Sequence, residues 1–157
     1  MAQAVLLLAL LAVAIYFYPV FRGARYHFLD SACYSGDKIG VAIMLRIGAD
    51  PDGQRDVKQW MDHIAPFEPT TPLLHAVSRD DTNILRLLLK AHADPNPPPI
   101  PPEDATLLGI AAVNGYVNSA RMLRDAGARL ELPGGGSVIE LARKYGHTNV
   151  AFVLQPR

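Results

Sequence analysis

The sequence has little cysteine and no excess of either charge, and both features exclude classes of function. The 157-residue chain contains a single cysteine, Cys33, so it can form neither an internal disulfide nor a thiolate-based zinc site. Its 15 basic and 15 acidic residues give a formal net charge of zero. Neutrality argues against a nucleic-acid-binding protein, because such proteins gain much of their affinity by neutralising phosphates. The length suits one soluble domain with a short additional segment.

The residue patterns of an active site are also missing from the sequence. The five histidines have no histidine partner four residues away and no cysteine at ligand spacing, so a zinc site is not indicated. Residues 134–136 are all glycine, but no Lys-Ser or Lys-Thr pair follows them, so they do not form a phosphate-binding loop. His75 and His147 are interpreted as structural, and Cys33 as a buried, inert thiol. We therefore predict neither an enzyme nor a bound cofactor or metal.

The first 21 residues lack charged side chains, and residues 4–15 are all Ala, Val, Leu or Ile. A helix of about twenty residues, rising 1.5 Å per residue, spans a hydrocarbon layer roughly 30 Å thick. Aromatic residues 16–18 follow, and Arg22 and Arg25 lie just beyond them. An apolar core, an aromatic belt and a basic flank are typical of a membrane–water interface. The pattern predicts a single transmembrane helix over residues 1–21.

Two other interpretations of this segment remain open. A cleaved signal peptide would begin with basic residues and end at a small-residue cleavage site, whereas this apolar run ends in aromatic residues. A buried core helix also fits the composition. Arg22 and Arg25 favour the cytoplasmic side of the inner (cell) membrane for the soluble domain, with a periplasmic or luminal location as the alternative. The frequent alanine, arginine and proline residues are typical of a GC-rich bacterial genome.

The remainder of the chain is repetitive. Four alanines are spaced by 44, 35 and 31 residues, and the residue four positions after each is glycine or aspartate, which end a helix in the left-handed conformation. A stripe of apolar residues at helical spacing follows each turn. The alanines are Ala32, Ala76, Ala111 and Ala142, and the turn residues are Gly36, Asp80, Gly115 and Gly146. Repeats with periods near thirty residues are helical hairpins that bury their apolar faces against one another, so the pattern predicts about four stacked hairpins.

These repeats resemble the ankyrin repeat family. Thr71-Pro72-Leu73 is similar to its Thr-Pro-Leu opening, and Gly146-His147 to its Gly-His turn. Residues 48–50 and 93–96 are similar to its Gly-Ala-Asp-x-Asn close. The resemblance covers about residues 26–154, and it departs from the family at His27-Phe28, at Ser137-Val138 and in the order Leu74-His75. It implies an all-α ankyrin-repeat solenoid of about four helical hairpins, preceded here by the single transmembrane helix.

The spacing of the repeats divides the chain into six predicted segments. They are a transmembrane anchor (1–21), repeat 1 (22–54), an insertion (55–69), repeat 2 with a proline-rich finger (70–103), repeat 3 (104–135) and a C-terminal capping repeat 4 (136–157).

The insertion and the proline-rich finger depart from the repeat. Val57, Trp60, Met61 and Ile64 recur at the spacing of one helix face, which predicts a short amphipathic helix. Its apolar face either folds back on the first two repeats or leaves Trp60 and Met61 exposed for a partner. Prolines occupy six of the eight positions 95–102, which predicts a stiff extended finger. Such a run is a spacer or, alternatively, a ligand for a proline-binding groove.

The predicted function is protein binding. We expect a membrane-anchored ankyrin-repeat module that is an accessory subunit or regulator of an inner-membrane protein complex, with a membrane-associated protein as partner and no nucleic acid. The alternative is an immunity-type inhibitor that binds and neutralises a toxin or effector protein, a role that the resemblance to small bacterial ankyrin proteins suggests. The candidate partner-binding residues lie on the fingers and on the ends of the first helices: Tyr34, Arg55, Trp60, Met61, Arg79, Asn114, Tyr116 and Tyr145.

Overall fold

The computed structural model describes residues 25–52, 71–98 and 105–155, and most of these residues are helical. Consecutive helices pair as hairpins joined by tight turns, so the all-α stack of about four hairpins that the sequence predicted is confirmed. The eight helices are residues 25–35 (α1), Lys38–Arg46 (α2), Pro72–Ser78 (α3), Thr82–Lys90 (α4), Leu107–Asn114 (α5), Val117–Asp125 (α6), Val138–Lys144 (α7) and Thr148–Leu154 (α8).

The hairpins stack side by side in two layers. Helices α3, α5 and α7 pack in series in one layer, and α2, α4, α6 and α8 pack in series in the other. Helix α1 joins the first layer, since Asp30 on α1 lies beside His75 on α3. One continuous core fills the space between the layers, with Leu29, Val41, Leu73, Ile84, Leu88, Leu108, Leu123 and Leu154 fully or almost fully buried.

Helix ends form where the sequence pattern places them. Thr71 Oγ1 accepts a hydrogen bond from the Leu74 N–H at 3.1 Å, and Pro72 occupies the first helical position, where no N–H is needed. All four predicted turn residues have positive φ, with values of 77°, 51°, 76° and 82° along the chain. The repeat signal was readable in the sequence because these turns need residues that tolerate the left-handed conformation.

The predicted fold class included a transmembrane helix. This part of the prediction is wrong for the residues that the structure describes. None of the eight helices in those three ranges is long and apolar enough to cross a membrane. The longest helical run there, residues 25–35, has eleven residues, which corresponds to about 16 Å against a hydrocarbon layer of roughly 30 Å. Residues 1–21, on which the prediction was based, lie outside the described residues.

Several other predictions also fall outside the described ranges. The amphipathic helix expected around residues 57–64 lies in the gap after residue 52, and the second half of the proline run lies in the gap after residue 98. The six segment boundaries, the membrane location and the cytoplasmic orientation stay predictions.

Candidate protein-binding face

Four residues near the ends of the first helices form one row along the stack. Helices α1, α3, α5 and α7 are neighbours in one layer, and each ends two or three residues after the alanine of its repeat. The residues at these ends are exposed, and we call them the helix-end row: Tyr34, Arg79, Asn114 and Tyr145. Four of the eight candidate partner-binding residues therefore lie at or next to the ends of neighbouring helices, one in each repeat, and of these Arg79 contacts Tyr34.

Tyr34 is exposed and is also held in place by the second repeat. Its side chain is 68 % exposed. Its ring meets the His75 ring edge to face, with centroids 5.4 Å apart and the planes 79° from parallel. Arg79 donates a hydrogen bond from its guanidinium to the Tyr34 carbonyl oxygen at 3.2 Å. The backbone and ring of Tyr34 are thus positioned by two side chains that are more than forty residues away in the sequence.

His75 connects this tyrosine to a partly buried carboxylate. His75 Nε2 lies 3.4 Å from Asp30 Oδ1, and both side chains are largely shielded from solvent. The geometry is not that of a hydrogen bond, and this Asp30 oxygen is buried without a hydrogen-bond partner among the described residues. The contact is therefore an ion pair only when His75 carries a proton. Sequence reasoning interpreted His75 as structural, and the structure adds that it supports the exposed Tyr34.

The other half of the row is arranged differently. Asn114 Nδ2 donates a hydrogen bond to the Ile110 carbonyl oxygen at 2.9 Å, which orients the amide. Tyr145 is about half exposed. Tyr116 lies in the turn before α6, but it is half-buried and packs against the core, so it offers less surface than expected. The remaining candidate residues, Arg55, Trp60 and Met61, lie outside the described residues.

The fingers that follow the second helices are tied to one another by side-chain hydrogen bonds. Both carboxylate oxygens of Asp52 accept a hydrogen bond from the Asp94 N–H, at 2.9 and 3.1 Å. Asn96 donates from Nδ2 to the Gly127 carbonyl oxygen at 3.0 Å and accepts at Oδ1 from the Arg129 N–H at 2.8 Å. Three consecutive fingers are linked in this way, because each polar side chain satisfies the backbone of the next repeat. The Asp-x-Asn pattern of residues 94–96 was the sequence signal for this link.

Two further observations concern metal binding and the single cysteine. Across residues 25–52, 71–98 and 105–155, no group of three or more His, Cys, Asp and Glu side chains is arranged to hold a metal ion. Cys33 is fully buried. Burial, together with a smaller effect of the nearby carboxylates of Asp30 and Asp81, raises the pKa of its thiol to about 12. A thiol in this state is a poor nucleophile.

Comparisons with known proteins agree with the helical stack. A family model described as Ankyrin repeats (3 copies) matches residues 29–133, and helices α7 and α8 follow that match. The chain is 32 % identical over 104 residues to Ankyrin repeat and KH domain-containing protein 1 of Homo sapiens. This match covers 66 % of the chain but only 4 % of the human protein, so the chain spans a small part of that relative. Ankyrin repeats are typically non-enzymatic scaffolds for protein–protein interaction, and the chain belongs to the ankyrin repeat family.

Proposed function

We propose that this protein binds a partner protein along the helix-end row. One observation carries the proposal: the exposed ring of Tyr34 is held by His75 and Arg79 from the neighbouring repeat. A side chain that is already ordered loses little conformational entropy on binding, so more of the contact energy appears as affinity. Tyrosine and arginine are also enriched among the residues that dominate protein–protein interfaces.

The composition of the row indicates the chemistry of the partner. Two tyrosines lie toward the two ends, and Arg79 and Asn114 lie between them. This combination fits a protein surface with apolar pockets for the rings and a carboxylate or carbonyl group opposite the arginine. It fits a nucleic-acid backbone poorly, because a single cation supplies little phosphate neutralisation.

The biological role that we propose is that of an accessory subunit or regulator of a protein complex. The alternative is an immunity-type inhibitor that covers a toxin or effector protein. Both roles use the same face, so the identity of the partner distinguishes them. A stable member of a multiprotein complex indicates the first role, and a toxic enzyme whose activity falls on binding indicates the second.

Affinity purification of the full chain in mild detergent, followed by mass spectrometry, tests the proposal. The variants Tyr34→Ala and Arg79→Ala each remove one of the two residues of the row that contact each other. The variant Arg86→Ala is a matched control, since it removes an exposed arginine from α4 in the other layer. We expect a partner that copurifies with the wild-type chain and the Arg86→Ala variant, and a loss of at least tenfold with the other two. Equal recovery with all variants, or no partner with the wild-type chain, contradicts the proposal.

A further inference from the structure

The first hairpin, which has no preceding repeat among the described residues, exposes four large apolar side chains. We call them the N-terminal edge: Phe28 on α1, Ile39 and Ile43 on α2, and Ile47 directly after α2. The four side chains are 65, 72, 50 and 50 % exposed. The isoleucines recur every four residues, so they form one stripe along α2. Terminal repeats of a solenoid usually carry a polar outer face, and this edge does not.

A comparison with the other repeats shows that Phe28 lacks a neighbouring hairpin to cover it. In the register set by the repeat alanines, the position of Phe28 is taken in the following repeats by Pro72, Leu107 and Val138, and all three are buried. Each of those repeats has a preceding hairpin beside it. Phe28 therefore occupies a position that is covered elsewhere in the stack, and it has no such cover within the described residues.

The stripe on α2 is also particular to the first repeat. The position of Ile39 is occupied by asparagine in all three later copies, where it is exposed. An exposed asparagine suits contact with water, whereas an isoleucine that is 72 % exposed does not. Those asparagines are exposed although each of their repeats has a preceding hairpin, so the Ile39 position lies on the outer surface of the stack. An isoleucine at that position is suited to an apolar cover other than a neighbouring repeat. The asparagines are Asn83, Asn118 and Asn149.

We propose that residues 1–21 of the same chain cover the N-terminal edge. These residues carry no charge, and residues 4–15 are entirely aliphatic. They also join the described part of the chain close to this edge. Arg25 donates a hydrogen bond from its guanidinium to the Ile47 carbonyl oxygen at 2.8 Å, so the chain enters the described part of the molecule beside one end of the isoleucine stripe.

Residues 1–21 are close enough to the N-terminal edge to reach it and long enough to follow it. Four residue steps separate residue 21 from Arg25, so residue 21 lies at most about 14 Å away. The stripe from Ile39 to Ile47 is about 12 Å long at the rise of an α-helix, which 21 residues are long enough to follow. A segment attached at such short range has an effective concentration that a second copy in dilute solution does not reach. Residues 1–21 of the same chain should therefore cover the N-terminal edge before a second copy of the chain does.

Disulfide cross-linking in the full chain tests this placement. The background variant Cys33→Ala removes the native thiol. Ile43→Cys is then combined, one at a time, with Leu8→Cys, Leu11→Cys or Ile15→Cys. The matched control replaces Ile43→Cys with Phe152→Cys, since Phe152 is an apolar residue on α8 that is 75 % exposed. Under mild oxidation, we expect at least one Ile43→Cys pair to form an intramolecular disulfide tenfold faster than every control pair.

Three outcomes overturn the proposal. Equal rates for the two sets show that the segment does not prefer the N-terminal edge. Disulfides that form only between chains show that a second copy covers it. Cysteines at positions 8, 11 and 15 that form no intramolecular bond, but are shielded from maleimide by added lipid vesicles, show that the segment inserts in lipid instead.

A second variant gives a readout that does not depend on disulfide geometry. Ile43→Asp places a charge in the stripe, on a side chain that is already half exposed. We expect the Leu11→Cys thiol to react with maleimide several-fold faster in the chain carrying Ile43→Asp, and at an unchanged rate in the chain carrying Phe152→Asp. Unchanged labelling with both substitutions contradicts the proposal.

Discussion

Ser119 Oγ donates a hydrogen bond to Asp80 Oδ1 at 2.5 Å, which joins helix α6 of the third repeat to the turn of the second. Ser119 is fully buried, and Asp80 has a φ of 51°. The corresponding turn residue is glycine in the other three repeats. The conformational cost of a left-handed aspartate is therefore offset by a hydrogen bond that satisfies a buried hydroxyl in the next repeat.

Replacing Asp80 by glycine should destabilise the protein, although glycine suits the backbone better. The variant Asp80→Gly leaves the Ser119 hydroxyl without its acceptor, at a cost of about 1–3 kcal/mol. Relief of the left-handed conformation returns about 1–2 kcal/mol, and the greater chain entropy of glycine in the unfolded state costs about 0.5–1 kcal/mol. We expect a net loss of about 1 kcal/mol in the free energy of unfolding, measured by urea denaturation. In a chain that already carries Ser119→Ala, the substitution Asp80→Gly should no longer lower the free energy of unfolding. A loss of stability that persists in that chain contradicts this explanation.

His92 is the other non-glycine residue with positive φ within residues 25–52, 71–98 and 105–155. Its replacement by glycine should stabilise the protein, in contrast to Asp80→Gly. Its φ is 64°, it is exposed, and the same repeat position holds Gly48 and Gly127 in two other copies. The variant His92→Gly relieves about 1–2 kcal/mol of left-handed strain and costs about 0.5–1 kcal/mol of chain entropy. We expect a gain of about 0.5 kcal/mol, measured by the same denaturation. A loss of stability contradicts it and indicates that the imidazole makes a stabilising contact.

The contrast between these two residues shows how far sequence reasoning extends. The alanine and glycine spacing predicted the hairpins, because turns and close helix packing are local demands on residue type. The position of Asp80 within its repeat does not reveal that its carboxylate accepts a hydrogen bond from Ser119, 39 residues later. The same limit applies to the binding face. Tyr34 was selected as an exposed aromatic, but its support from His75 and Arg79 depends on how repeats stack.

Two other outcomes have similar causes. Tyr116 was among the candidate partner-binding residues, yet it packs against the core, since the stacking of neighbouring repeats decides burial. The isoleucine stripe on α2 was overlooked because amphipathic spacing looks the same for a core face and for an exposed edge. The substitution of Ile39 for the asparagine of the other repeats was the available signal.

Two turn glycines should differ in their tolerance of alanine. A Cβ atom at Gly115 would lie 2.6 Å from His147 Nδ1, whereas a Cβ atom at Gly127 meets nothing within 4 Å. Both residues have positive φ, so each alanine variant loses about 1–2 kcal/mol from the left-handed conformation. The variant Gly115→Ala should lose about 1–3 kcal/mol more, because the imidazole must shift. Thermal or urea unfolding of the pair measures the difference, and equal losses would show that His147 moves without cost.

The stability of the protein should fall in alkaline solution, and Cys33 should account for part of the fall. Burial, together with a smaller effect of the carboxylates of Asp30 and Asp81, raises the pKa of this thiol from 9.0 to about 12. Between these values the folded state keeps a proton that the unfolded state has lost, so the stabilisation is complete below pH 9 and declines as the pH rises towards 12. The slope from one such group is at most about 1.4 kcal/mol per pH unit.

The variant Cys33→Ala isolates this contribution. Burial also raises the pKa of Tyr26, so both chains should lose stability above about pH 10, where an unperturbed tyrosine ionises. The difference in the free energy of unfolding between wild type and variant should stay constant from pH 6 to about 8 and then decrease, because only the wild type carries the thiol. Urea denaturation from pH 6 to about 10.5 measures it. Parallel curves for the two chains would mean that the thiol ionises in the folded protein as readily as in the unfolded chain.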